Sequence, residues 1–155
     1  MDIVGPFPIV RAQKKFLLVA GDYFSNWVEA EPQERITEQE VLNFLWKNIV
    51  CRFGVSRRLI SHNGRQFQGK EITAWCQEMK ITQSFKSVGY PQDNGQTEVL
   101  NRIIVQALKT SLQGKGKDWV EELPIVLWAY RTTPRAPTQN IHFNMVYGFE
   151  AVLPV

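Results

Sequence analysis

From Gln96 to Leu112 the apolar residues come in pairs four apart: Val99 and Leu100, Ile103 and Ile104, Ala107 and Leu108, then Leu112. That period predicts an α-helix with one stripe turned to a core and with Glu98, Asn101, Arg102, Gln106 and Lys109 on its other face. Immediately before it, Tyr90-Pro91-Gln92-Asp93-Asn94-Gly95 is turn chemistry, so the helix is expected to follow a flexible Gly95 and to carry Glu98 in its first turn. Taken alone, Glu98 reads as a surface carboxylate paired with Arg102 at i,i+4, worth about 0.2–0.5 kcal/mol. A second feature weighs against so plain a role. Thirty-six residues upstream, Ser61-His62-Asn63-Gly64 closes an apolar strand, and open α/β sheets place ligands at the carboxyl ends of their strands.

The apolar stripe needs a sheet to pack on, and the preceding chain supplies one. Met1–Val4 is a short extended run ended by Gly5-Pro6 and Pro8, Phe16–Ala20 reads as a buried strand, and Trp27–Glu31 follows the turn residues Gly21-Asp22 and Ser25-Asn26. Three strands with short links predict an antiparallel meander. Asp2 lies in the first of them, where carboxylates are disfavoured unless they do something. Thr37-Glu38-Gln39-Glu40 is a capping box. It opens a helix with Val41, Leu42, Leu45, Trp46, Ile49, Val50 and Phe53 on its buried side and Gly54 as its stop. Arg58–Ser61 is a fourth strand, Ile72, Trp75, Cys76 and Met79 mark a second helix, and Ile81–Phe85 is a fifth strand. Beyond Gly114 and Gly116, Asp118 with Glu121 caps a last helix through Tyr130, with Pro124 a source of distortion. The order is βββ-α-β-α-β-α-α, with no internal repeat or linker. Residues 1–155 therefore read as one domain.

Charge narrows the partners. The net charge is only +3, but residues 47–117 hold twelve basic and four acidic side chains, while both flanking segments are net acidic. Positive charge gathered around Glu98 suits a polyanion such as DNA, although a solvated surface produces the same asymmetry. Cys51 and Cys76 lie in separate helical patterns and the amino end lacks the build of a signal peptide, which reads as intracellular with reduced thiols. No apolar run reaches the ~20 residues of a membrane span, and neither a membrane nor a small-molecule cofactor is expected.

Several words in the chain resemble the catalytic core of integrases from LTR retrotransposons and retroviruses, most of all the gypsy-type elements of plants. They are Met-Asp-Ile-Val-Gly-Pro-Phe-Pro at 1–8, Asp-Tyr-Phe-Ser at 22–25, Trp-Val-Glu-Ala at 27–30, Asn-Gly-Arg-Gln-Phe at 63–67, and Tyr-Pro-Gln at 90–92. To these are added Asn-Gly-Gln-Thr-Glu at 94–98 with Asn101-Arg102, Trp-Ala-Tyr-Arg-Thr-Thr-Pro at 128–134, and Val-Tyr-Gly at 146–148. The resemblance implies an α/β, ribonuclease-H-like fold, a five-stranded mixed sheet with helices on both faces. It also implies a core belonging to a longer polyprotein, with its first strand clipped and without flanking zinc-binding and DNA-binding domains. The same likeness implies DNA as partner, a homo-oligomer as a further partner, and a nuclear location if the core is functional. Ile141-His142-Phe143 departs from the family's small polar residue and Pro before Phe, so the last turn is expected to differ there.

The family's chemistry uses two Asp and one Glu, with 35 residues between the second Asp and the Glu. Carried over residue by residue, the first Asp is Asp2, the Glu is Glu98, and the second Asp falls on His62. Asp22 is not the catalytic acid. Asn63, Gln96, Arg102 and Lys109 would face nucleic acid. The reaction explains the three carboxylates: two Mg²⁺ or Mn²⁺ ions activate a water or a DNA 3′-hydroxyl and stabilise the leaving oxygen. Mg²⁺ is a hard ion that wants oxygen ligands. An imidazole at 62 removes one negative charge and presents nitrogen, so metal binding is expected to weaken. The readings of His62 are a degenerate catalytic copy, a site retuned to Mn²⁺ or Zn²⁺, or a solvated histidine on a non-catalytic domain that binds nucleic acid or multimerises.

Overall fold

The meander forms where turn chemistry places it. β1 (Asp2–Val4), β2 (Phe16–Gly21) and β3 (Val28–Gln33) pair antiparallel in that order, with Asp2 opposite Val19 and Gly21 opposite Val28. The structure, a computed structural model, describes residues 1–86, 91–113, 118–134 and 140–152. The turn from β2 to β3 is built by Asp22. Its Oδ2 accepts both the Ser25 amide and the Ser25 hydroxyl at 2.7 Å, and its carbonyl accepts the Asn26 amide at 2.9 Å. That full set of local bonds explains the acid without any chemistry. Pro32 is tolerated in β3 because β3 is an edge strand.

The capping box is present as read. The Thr37 hydroxyl accepts the Glu40 amide at 3.3 Å and the Glu40 carboxylate accepts the Thr37 amide at 2.7 Å. α1 (Glu38–Phe44) continues through a π-helical segment, Leu45–Val50, into α2 (Cys51–Phe53), and Gly54 ends it at φ 86°, a backbone angle that favours glycine. The π turn accounts for a misread face. A π-type bond spans one more residue than an α bond, so the apolar register slips. Val41, Phe44 and Leu45 are buried, whereas Trp46 and Phe53, expected inside, are 50% and 40% exposed.

β4 (Arg58–Ser61) and β5 (Thr82–Phe85) pair in parallel, joined by a crossover through α3 (Lys70–Glu78). The expected single five-stranded sheet is instead a three-stranded sheet and a two-stranded one. β1 has only three residues, and among the described residues the one backbone bond across the gap comes from the residue before it, the Met1 amino group donating to the Ile60 carbonyl at 2.7 Å. One bond does not make a ladder.

Helices cover both faces, as the pleat requires. On one face Leu17, Val19 and Val28 pack with Leu100, Ile104 and Leu108 of α4 (Pro91–Leu112) and with Trp119, Leu123 and Leu127 of α5 (Trp119–Thr132). On the other, Leu18 packs with Val41, Phe44, Phe67, Ile72 and Cys76. α4 begins earlier than its period indicates, at Pro91, so Gly95 lies inside the helix and Glu98 stands about two turns in. Proline is well suited to a first helical position. Only half of the apolar stripe is buried: Leu100, Ile104 and Leu108 face inward, while Val99 and Ile103 are 50% and 43% exposed. Asp118 caps α5 through the Val120 and Glu121 amides at 2.7 and 3.0 Å, and the helix runs through Pro124 without a break. A last helix, α6 (His142–Tyr147), starts at the departing residues Ile141-His142-Phe143. Ile141 offers no side-chain cap there; His142 anchors the turn by burial and by stacking on Tyr130 with ring centroids 4.4 Å apart. The expected turn residue Tyr90 and the break at Gly114 and Gly116 lie outside the described residues.

Two further long-range clamps hold the helices. The Glu38 carboxylate, left free by the capping box, accepts the Ile72 amide at 2.7 Å in the first turn of α3. Glu29 of β3 is buried and takes three donors: Trp27 Nε1 at 2.7 Å, Arg52 at 2.7 Å and Arg131 of α5 at 2.9 Å. Arg131 also donates to the Val28 carbonyl and lies 4.4 Å over the Trp27 ring.

Candidate active site

Asp2 reaches its surroundings because a strand residue beside a helix alternates faces. Its neighbours Met1 and Ile3 pack toward α1 and α3, so Asp2 points to the α4 face. There Asp2 Oδ2 accepts Asn101 Nδ2 at 2.8 Å, and Asp2 Oδ1 accepts the Ile3 amide at 2.9 Å. From the end of β4, His62 Nδ1 comes to 3.0 Å from Asp2 Oδ1. That distance is ion-pairing range, but the direction is not that of a hydrogen bond, and Nδ1 is buried without a hydrogen-bond partner. His62 is held edge-on to Phe67, centroids 4.8 Å apart. The parallel pairing of Ser61 with Phe85, and of the Lys86 amide with the Ser61 carbonyl at 2.8 Å, fixes where β4 releases it.

The fold brings together two of the three expected side chains and leaves the third apart. Asp2 and His62 meet; Glu98 is exposed, one helical turn before Asn101 on α4. Among the described residues no set of three His, Cys, Asp or Glu side chains is close enough to hold a metal ion. Nor is the plain reading of Glu98 realised, since among those residues neither Glu98 nor Arg102 forms an ion pair.

The four residues read as facing nucleic acid divide into two kinds. Arg102 and Lys109 are exposed on α4. Asn63 and Gln96 also bond within the fold. Asn63 donates to the Lys86 carbonyl at 3.3 Å and accepts from Gln68 at 3.1 Å, while Gln96 donates to the Tyr23 carbonyl at 3.0 Å and to Asn26 Oδ1. They tie β4 to β5 and α4 to the β2–β3 turn. Asn101 was missed as a site residue. The available signal was its place three residues after Glu98 on the same helix.

Burial shifts two groups here and nearby. The Met1 amino group, buried against β4, falls from its ordinary 8.0 to about 6, mainly by loss of water and secondarily by the Lys86 charge, with Asp2 opposing. The Cys76 thiol is pushed up by burial. Neither group belongs to the expected chemistry.

A family model described as the integrase core domain matches residues 1–91, which include Asp2 and His62. The chain belongs to that family. The integrase core is 35% identical over 136 residues to the Gag-Pol polyprotein of avian reticuloendotheliosis virus and 38% identical over 125 residues to that of gibbon ape leukemia virus. The matches take in 88% and 80% of this chain but only 12% and 7% of those polyproteins. Among solved structures it is similar to the HTLV-2 integrase catalytic core domain in complex with magnesium, in its trimeric form. There the TM-score is 0.76 at 18% identity, over 94% of both chains. The catalytic core domain of BIV integrase superposes with TM-score 0.74 at 20% identity, over 94% of this chain and 91% of that one. This is an integrase core of the retroviral or LTR type with the ribonuclease-H-like fold.

The donor set does not fit a Mg²⁺ cage. Asp2 is the single carboxylate at the junction, the nearest other donors are an imidazole nitrogen and the Asn101 amide, and both His62 Nδ1 and Asn101 Oδ1 are buried without hydrogen-bond partners. Mg²⁺ demands oxygen ligands in near-octahedral array. Two of the three nearest groups are uncharged when His62 is deprotonated.

Proposed function

We propose that this chain is the core of a DNA integrase whose catalytic site is degenerate, leaving a domain that binds DNA and assembles with copies of itself without efficient strand transfer. The observation that supports it is the contact of His62 with Asp2 at 3.0 Å, at the position where the resemblance calls for a second Asp. Phosphodiester cleavage and joining in this family draw on paired divalent ions to activate the attacking oxygen and stabilise the leaving one. Here Asp2 and Glu98 would be the acidic ligands, and Mg²⁺ or Mn²⁺ would bind weakly. Arg102 and Lys109, free of intramolecular acids among the described residues, would meet phosphate. If integration persists in a longer polypeptide, its place of action is the nucleus.

The second reading, a purely non-catalytic nucleic-acid-binding remnant, is separated by one experiment. A labelled branched DNA is incubated with Mg²⁺ or Mn²⁺ and with the native chain, His62→Asp, or His62→Asp with Glu98→Gln. Degeneracy at residue 62 alone predicts no cleavage by the native chain, nicking or disintegration by His62→Asp, and loss of it in the double variant. Native activity that the double variant lacks refutes degeneracy. Inactivity of all three forms, with DNA binding intact, favours the remnant.

A further inference from the structure

The turn from β2 to β3 offers two aromatic rings to solvent: Phe24 is 82% exposed and Tyr23 beside it 52%. Single exposed apolar side chains are ordinary on a protein surface. These two are adjacent, and the backbone that carries them is held from several sides. The Asn26 amide donates to the Asp22 carbonyl and the Asp22 amide to the Trp27 carbonyl, both at 2.9 Å, while the Asp22 carboxylate accepts the Ser25 amide and hydroxyl. From outside the turn, the Tyr130 hydroxyl of α5 donates to the Asn26 carbonyl at 3.0 Å, and Gln96 of α4 donates to the Tyr23 carbonyl at 3.0 Å and to Asn26 Oδ1. Asp22, Ser25 and Asn26 turn the chain by themselves. Nothing in the turn requires aromatic residues at 23 and 24.

The rings stand on the rim of the candidate active site. Gln96 ties the turn to α4 two residues before Glu98, about 3 Å of helix rise. The turn begins three residues beyond Val19, the β2 partner of Asp2, about 10 Å along the strand. Tyr23 and Phe24 line one cleft with Thr97 of α4 and with the exposed Arg57 and Arg58. The acids of that cleft are engaged elsewhere, Asp22 by Ser25 and Glu29 by Trp27, Arg52 and Arg131. Among the described residues no acid pairs with Arg57 or Arg58.

We propose that Tyr23 and Phe24 form a stacking platform for an unpaired base at a DNA end, with Arg57 and Arg58 beside it for the phosphates. This rests on the DNA-binding reading above and narrows it to one feature of the DNA. A base inside a duplex has both faces covered by its neighbours, so only an unpaired or terminal base offers a free face to a ring on a protein surface. A ring beside unopposed guanidinium groups matches such a nucleotide, its π face on the ring and its phosphate on arginine. An apolar protein patch would match the rings and leave the two cations unmet.

The test offers the 155-residue chain a short labelled DNA duplex, either blunt or ending in two unpaired nucleotides, with affinity read by fluorescence anisotropy. The native chain should prefer the overhang by about fivefold or more. Tyr23→Ala and Phe24→Ala should each weaken overhang binding about fivefold and leave blunt binding within about twofold, whereas Phe24→Trp should keep the preference. Neither ring carries charge, so the salt slope should not change in the ring variants; it should fall by about 1.8 when Arg57 and Arg58 are both replaced by alanine. A 2-aminopurine at the first unpaired position should dim on binding the native chain and stay bright with Phe24→Ala. Both rings are exposed, so the Tm of each ring variant should lie within about 2 °C of the parent. Ring variants that weaken both duplexes alike, or an unchanged salt slope without the two arginines, overturn the proposal. So does an overhang preference that survives both alanine variants while self-association in sedimentation is lost, which would assign the turn to a second copy of this chain. Native binding to both duplexes without preference refutes the platform alone; native binding to neither refutes the DNA reading and the platform with it.

Discussion

Replacing Glu29 with glutamine tests whether the words Trp-Val-Glu-Ala and Trp-Ala-Tyr-Arg serve folding and not chemistry. Glu29 is buried, and its carboxylate takes Trp27, Arg52 and Arg131, which join β3, α2 and α5. The Arg52 partner has a side chain 40% exposed, so solvent screens that pair to at most about 1 kcal/mol. Arg131 is different, with its side chain 15% exposed. Breaking a buried pair by removing one partner costs about 3–5 kcal/mol. Arg131 keeps the Val28 carbonyl and the Trp27 ring, so the lower end, about 3 kcal/mol, applies. At about 2–4 °C per kcal/mol for a chain of this size, Tm should fall by about 6–12 °C. Thermal and urea unfolding followed by circular dichroism measure it, with Glu29→Gln, Arg131→Met and the double variant compared. The double variant should lose less than the sum of the singles, because it leaves no buried guanidinium unpaired. A Glu29→Gln Tm within about 2 °C of the parent, or strict additivity, would refute the reasoning.

Arg102→Ala and Lys109→Ala should each reduce the log-log salt slope of DNA affinity by about 0.9, measured by fluorescence anisotropy between low and physiological salt; an unchanged slope would remove both from the phosphate contacts. Gly69→Ala should destabilise α3 by about 1–2 kcal/mol, because a Cβ there would sit 2.1 Å from the Glu38 carboxylate. In a Glu38→Ala background, which itself costs about 1 kcal/mol of capping, the glycine substitution should cost much less. In the chain beginning at Met1, the amino group has a folded pKa of about 6 against an ordinary 8.0. Between those values the unfolded chain binds more protons, so stability should rise from pH 6 to pH 8 by about 2 kcal/mol. Acetylating the amino group should remove that rise; equal pH profiles for the free and acetylated chains would contradict the burial of Met1.

What the chain declares by itself is short-range. The Thr37–Glu40 box, the Asp22 turn, the Asp118 cap, the Gly54 stop and the period of α4 are legible because each is completed by partners within a few residues. The three-stranded meander follows from them, and the family words point to Asp2, His62 and Glu98. Which residues those words bring together is another matter. Asn101 reaches Asp2 across 99 positions, and Gln96 is tied to Asn26 across 70. Nothing in a local pattern distinguishes these amides from ones that would meet a ligand. The π segment likewise turned Trp46 and Phe53 outward against their period, and only packing of α4 on β2 chose Leu100 and Ile104 over Val99 and Ile103. A helix period marks an apolar stripe but not its centre, and a side chain has one set of hydrogen-bonding atoms. The fold decides which half of the stripe loses water and which of those atoms remain for chemistry.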